Sequence, residues 1–338
     1  MNLGAVISQS ALAAVVTVAA LSLTAWGQGT APSPAKSQPG AVAHARDGHP
    51  DLQGIWSFAT LTPLERPAAL AGKTHLTDQE AAEFAKRAIQ SRNFDRRDGG
   101  AEADVSRAYN DLFYDFGKSA TNQTSLIIDP QDGKLPPLTA AGEVRAKERA
   151  AKLARVPEGP EDRPLWERCI LGFNSGPPIM PSGYNNNLQI LQPPGYAVIF
   201  TEMVHSARVV PLDGRPHGNT RQLMGDSRGH WEGNTLVVDT INFTNQGTGT
   251  IGLRVAMDEN FHLVERFTLR DPNTLIYEFT VDDPSVWTKP WTASVPMTKT
   301  EEPIYEYACH EGNYGMEDIL AGARAQEKAA AEAAKKAK

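Results

Sequence analysis

Residues 262–281 read HLVERFTLRDPNTLIYEFTV, two runs of alternating apolar and polar residues on either side of Asp271-Pro272-Asn273. Alternation with a period of two places one set of side chains on each face of a pleated strand, and the Asp-Pro-Asn turn is short enough for a hairpin. The segment therefore predicts two antiparallel strands. Working outward, LQILQ (188–192), YAVIFTEM (196–203), ARVVPL (207–212) and TLVVDTINF (235–243) carry the same signal, with Pro193-Pro194-Gly195 and Glu232-Gly233-Asn234 as turns. Strands never alternate with helices at βαβ spacing and no glycine-rich phosphate loop occurs, which argues against Rossmann and TIM architectures. The expected fold is mainly β: an antiparallel meander forming a barrel or a strongly curved sheet.

Helical patterns flank this region. Leu76–Ser91 has Thr77 as N-cap, Glu80 completing a capping box, and Ala81, Phe84, Ala85 and Ala88 on one face. A weaker pattern, introduced by Thr139, runs over residues 140–154. From Met316 the chain reads as helix, and residues 323–338, rich in Ala, Lys and Glu without an apolar stripe, as a fraying tail. Residues 51–322 are expected to form a single β-rich domain.

The chain has 338 residues, 41% hydrophobic and 22% charged, enough for a substantial core. A net charge of -7 with no local Lys/Arg cluster argues against nucleic acid as a partner. Ala11–Ala25 is apolar and uncharged, shorter than the roughly 20 residues a spanning helix needs, and reads as the core of a signal peptide over residues 1–27. The absence of a basic residue before Lys36 is the dissenting feature. Residues 28–50 read as a disordered linker. The expected location is periplasmic or extracellular, with no stable membrane span after cleavage. In an oxidising compartment Cys169 and Cys309 read as a disulfide, a pair of buried thiols being the alternative.

The blocks DLQGIW (51–56), TPLERP (62–67), SLIIDPQDGKLPPLT (125–139), YNNNLQILQ (184–192), EMVHSARVVPLDGRPH (202–217), GDSRGHWEGNTLVVDT (225–240), HLVERFTL (262–269), EFTVDDPSVWTKPWTA (278–293) and YEYACHEGNY (305–314) carry a resemblance. The chain resembles a family of secreted proteins of unknown function common in soil bacteria. The resemblance implies export and a lipocalin-like β-barrel, and it assigns no activity. Thr248–Asn260 departs from the family pattern, where a shorter polar turn is usual. Gly54-Ile55-Trp56 is similar to the G-x-W of lipocalins, where a Trp closes one barrel end.

Gly225-Asp226-Ser227-Arg228-Gly229 satisfies G-x-S-x-G, but a nucleophile elbow needs a helix after the Ser, and here a strand pattern follows. The expectation is a tight turn held by Asp226. The eight histidines show neither H-x-H nor H-E-x-x-H spacing. No organic cofactor is expected, and a divalent metal held by ligands from separate strands stays open.

Ionisable residues inside predicted strands are the more informative signal. If YAVIFTEM and ARVVPL formed one unbulged strand, Glu202 and Arg208 would share a face with His205 opposite. His262 and Arg266 share one face, with Leu263, Glu265 and Phe267 on the other. These charges either face solvent or line a lumen. Candidate acid–base residues are Glu202, His205, Arg208, His310 and Glu311; candidate ligand-binding residues are Tyr184, Asn186, Asn187, Arg266, Trp287, Tyr307 and Tyr314. The function this supports is binding of a small organic molecule at a barrel mouth, with or without cofactor-independent hydrolase, lyase or isomerase chemistry. The alternative is a non-catalytic carrier or envelope scaffold.

Overall fold

A computed structural model describes residues 42–93, 95–96, 98–106, 113–245 and 259–336. The expected signal peptide, most of the linker and most of the Thr248–Asn260 departure lie outside the described residues.

The strands are β1 (Gly54–Ser57), β2 (Ile127–Asp129), β3 (Asn187–Leu191), β4 (Tyr196–Thr201), β5 (Ala207–Pro211), β6 (Asp226–Glu232), β7 (Thr235–Ile241), β8 (His262–Asp271), β9 (Thr274–Asp282) and β10 (Trp291–Thr300). They form one antiparallel sheet in the order β5-β4-β3-β1-β10-β9-β8-β7-β6, with β2 pairing β10 beyond the end of β1. The turns read from the sequence all connect hairpins: β3–β4, β6–β7 and β8–β9.

The sheet is not closed into a barrel, so the lipocalin-like expectation is not met in that respect. Its two end strands nevertheless abut. A Cβ on Gly229 of β6 would lie 2.6 Å from Leu212 Cδ2, just past β5, and 2.9 Å from Val210 Cγ1. With no ladder hydrogen bonds joining β5 to β6 among the described residues, this is the curved-sheet alternative: side chains, rather than backbone pairing, fill the seam.

Alternation sets the core. In β8 the inward positions Leu263, Glu265 and Phe267 are buried while His262, Val264 and Arg266 are partly exposed, as the sequence pattern predicts. Inward residues of nine strands join one apolar cluster that includes Trp56, Ile190, Ile199, Val210, Leu236, Phe267, Phe279 and Trp291. Each such large side chain contributes roughly 1.5–3 kcal/mol through burial. Trp56 lies wholly in this core; its Nε1–H donates to the Leu52 carbonyl at 2.9 Å, and Lys299 Nζ stands 5.6 Å above the ring centroid.

Helix α1 (Asp78–Ser91) begins as predicted. Thr77 Oγ1 accepts from the Glu80 amide at 3.3 Å, and Glu80 Oε2 accepts from the Thr77 amide at 2.9 Å. The sequence gives no signal for α2 (Gly100–Ser106). Thr139 caps α3 (Ala140–Ala154) and also donates to the Ser285 carbonyl at 2.7 Å, which docks the helix on the β9–β10 connection. Helix α4 (Tyr314–Lys336) takes in nearly all of the segment read as a fraying tail. Ala and Lys favour helix intrinsically, and the chain is pinned midway where Ala323 is buried and Arg324 donates to the Pro157 and Glu158 carbonyls. No helix among the described residues is long and apolar enough to cross a membrane.

Three further local expectations are corrected. The end of the expected disordered linker, residues 42–50, forms a turn with a bridge between His44 and Pro50, and His49 stacks on Trp231 at 4.6 Å. The Gly225–Gly229 segment is not a tight turn. The turn ends at Gly225 (φ +70°), where any Cβ would strike Ile241 O and Phe243, and Asp226 already begins β6. The Asp226 carboxylate instead accepts from the distant Gly218 amide at 2.7 Å, while Ser227 points inward, buried against Thr240 Oγ1 at 2.9 Å. Finally, Glu202, His205 and Arg208 do not share a strand. The chain turns sharply over Met203–His205, with Val204 and His205 at φ 56° and 44°, so β4 and β5 are antiparallel neighbours.

Candidate functional site

Four separate segments converge beside the bond between Cys169 and Cys309, whose sulfurs are 2.00 Å apart. They are the turns around residues 166–173, the Tyr184 loop, the Met203–His205 turn, and the chain from Glu306 into α4. Between them runs a groove of about 620 Å³.

One wall is a chain of aromatic rings. Trp166 meets Phe173 edge to face at 6.1 Å, Phe173 meets Tyr184 edge to face at 5.3 Å, and Tyr184 stacks on Tyr307 at 6.2 Å with ring planes 24° apart. Met203, Val204, Met316 and Ile319 add apolar surface, and Glu306 and Asn313 add polar groups.

Hydrogen bonds to the backbone fix this geometry. Asn174 Nδ2 donates to the Tyr184 and Asn185 carbonyls, each at 3.1 Å. Asn186 is buried; it donates to the Asp115 and Ser182 carbonyls at 2.7 and 2.9 Å and accepts from the Ser182 amide at 2.8 Å. Glu202 accepts from Asn185 Nδ2 at 2.6 Å and Asn187 Nδ2 at 2.8 Å. Asn174 and Asn186 thus hold the loop that carries Tyr184, and Asn185 and Asn187 hold Glu202. His205 Nε2 accepts from the Tyr307 amide at 3.1 Å, which fixes the Nδ1–H tautomer of the neutral ring and ties the C-terminal segment to the turn. Val204 in the left-handed region is costly for a β-branched residue, about 1–3 kcal/mol. Strain of that kind clusters at active sites, ligand clamps and switch regions.

The other predicted residues lie elsewhere. Arg208 is buried in the sheet interior, where its guanidinium forms a two-pronged ion pair with Glu265, and Tyr277 Oη donates to Glu265 Oε1 at 2.7 Å. Burial opposes the Arg208 charge, but the Glu265 carboxylate outweighs it and leaves the guanidinium pKa raised. Burial, reinforced by Glu265, pushes the Tyr277 phenol well above its ordinary range. Trp287 is buried against Trp291. Arg266 is on the outer face and pairs with Glu232 at 2.7 Å. His310 and Glu311 are exposed in the turn before α4, and Tyr314 at its first residue is 73% exposed. Of the predicted set, the structure places Tyr184 and Tyr307 on the groove, with Glu202, His205, Asn186 and Asn187 holding its walls.

A second polar group, unmarked by any local motif, lies on the outer face of β7 and β8. Asp239 bonds His217 Nε2 at 2.8 Å and His262 Nε2 at 2.6 Å. The hydrogen bond from His262 holds the Asp239 carboxyl below its ordinary value, and the same bond raises the His262 pKa. Among the described residues no group of three or more His, Cys, Asp or Glu is arranged to hold a metal ion.

Trp166, Phe173, Met203 and Met316 are groove residues that sequence reasoning missed, since nothing in their spacing joins segments up to 150 residues apart. No known family model matches the chain, and no curated protein matches its sequence.

Proposed function

We propose that this is an exported protein that binds a small organic molecule in the groove beside the Cys169–Cys309 disulfide. The observation that carries the reading is the continuous aromatic wall Trp166–Phe173–Tyr184–Tyr307 along a groove of about 620 Å³. That volume lies within the range of small-molecule sites, and aromatic walls with a few polar groups are their usual lining. The disulfide supports export, since such bonds persist in oxidising compartments. The resemblance to secreted proteins points the same way.

A carrier has more support than the acid–base enzyme expected as one possibility. Catalysis by Glu202, His205 and Arg208 would need them around one reacting atom. Instead Glu202 is engaged by two asparagines, Arg208 by Glu265 and His205 by a backbone amide.

The test uses the neutral fluorescent probe N-phenyl-1-naphthylamine. It should bind the oxidised protein saturably, and binding should fall about tenfold or more in Trp166→Ala/Tyr307→Ala, two aromatic contacts being lost. Binding unchanged by the double replacement would overturn the reading, provided circular dichroism shows the variant folded.

A further inference from the structure

We propose that the occupant of this groove is an organic cation, an amine or quaternary ammonium group; the inference rests on the groove being the binding site. Among the described residues the lining contains no Lys, Arg or His. Its two charged residues are both carboxylates, Glu167 and Glu306.

These two carboxylates differ in availability. Glu167 is held by Arg163 through two hydrogen bonds, Nε to Oε2 at 2.6 Å and Nη2 to Oε1 at 2.9 Å, so its charge is already neutralised. Glu306 is exposed and has neither a hydrogen bond nor an ion pair among the described residues. Among the described residues, the side chains of the lining therefore carry one uncompensated negative charge.

The polar side chain opposite is already committed. Asn313 Nδ2 donates to the Glu167 carbonyl at 2.9 Å and its Oδ1 accepts from the Met316 amide at 3.2 Å, so its side chain is engaged at both ends. An anion would meet Glu306 with no cationic side chain in the lining to offset it.

The aromatic wall narrows the class further. A bare carboxylate at a surface attracts any cation, including hydrated metal ions. The π faces of Trp and Tyr present negative potential to a weakly hydrated cation, and methyl groups on nitrogen also gain from contact with the rings and with Met203 and Met316. An alkylammonium headgroup satisfies both features at once, whereas a neutral aromatic ligand would use the rings and leave Glu306 without a role.

The experiment titrates the oxidised full chain with choline and with its neutral carbon isostere 3,3-dimethylbutan-1-ol, by calorimetry and by displacement of N-phenyl-1-naphthylamine. Choline is expected to bind at least about tenfold more tightly than the isostere, the ratio that one desolvated cation–π contact supplies. Glu306→Gln should weaken choline several-fold and the neutral probe far less, while Tyr307→Leu should weaken both. Equal binding of the two isosteres, choline binding insensitive to Glu306→Gln, or dye binding without any choline binding would each overturn the cation assignment while leaving the groove reading intact. Failure of the dye itself to bind would remove the groove reading, and this inference with it.

Discussion

Arg208 of β5 and Glu265 of β8 form a buried, two-pronged ion pair although five strands lie between them in the order of the sheet. The pair crosses the interior formed by the curl of the sheet, and Tyr277 on β9 completes it. Glu265 is fully buried and Arg208 is 7% exposed. Replacing Glu265 with Gln keeps an acceptor for Tyr277 but leaves the guanidinium buried without a counter-charge, at a cost of about 3–5 kcal/mol in urea unfolding. Arg208→Met in the same chain should recover most of that loss. A single Glu265→Gln loss under about 1 kcal/mol would mean that Arg208 is hydrated rather than buried.

His262 and Asp239 give a pH dependence of defined sign. The His262 pKa is raised in the folded state, so its contribution is full below its ordinary 6.5 and is lost as pH rises through the higher folded value. The Asp239 pKa is lowered, so its contribution is full above its ordinary 3.8 and is lost as pH falls through the depressed one. Both contributions are complete only between these ordinary values. The melting-temperature advantage of the native chain over His262→Gln should therefore be larger at pH 5.5 than at pH 8.5. An advantage that grows with pH would refute the pairing. The effect is modest, because the two side chains are 40% and 35% exposed and solvent screens them.

Gly142 sets two effects against each other. Alanine is a better helix former by about 1 kcal/mol. Its Cβ, however, would lie 2.4 Å from the Val286 carbonyl oxygen, a backbone atom that cannot swing away. Overpacking at about 1–3 kcal/mol should win, and Gly142→Ala should lower the melting temperature. A raised value would show that α3 does not dock as described.

The cysteine pair closes a span of 140 residues, for which the chain-entropy estimate is about 5 kcal/mol. Cys169→Ala/Cys309→Ala should melt lower than the native chain under oxidising conditions and match it in reductant. Equal melting temperatures in both conditions would remove the bond's role. Because the bond lies in the groove wall, the double variant should also bind N-phenyl-1-naphthylamine more weakly.

Where contacts are local, the sequence was sufficient. The hairpin of β8 and β9, the box at Thr77 and the faces of Leu263, Glu265 and Phe267 follow from neighbours within a few residues. Strand β10 was harder to read because Pro296 interrupts it. That residue sits between the pairing of β10 with β2 at residues 292–293 and with β1 at residues 298–300, where no strand among the described residues lies along that edge. The break at Val204 was legible only as a condition on the strand, since no glycine marks the left-handed turn. The partners of Arg208 and the walls of the groove depend on how far the sheet curls, and no local pattern encodes that.

The position of the disulfide has a consequence for biogenesis. Eight of the ten strands among the described residues, β3 through β10, lie between the two cysteines, and the chain has no third cysteine. Cys169 therefore has no partner within its own molecule until nearly the whole sheet has been made, and no wrong intramolecular pairing exists to be reshuffled. The fraction of monomeric chains that resist alkylation after denaturation thus counts those whose two cysteines have met, a readout of completed assembly that requires neither ligand nor activity.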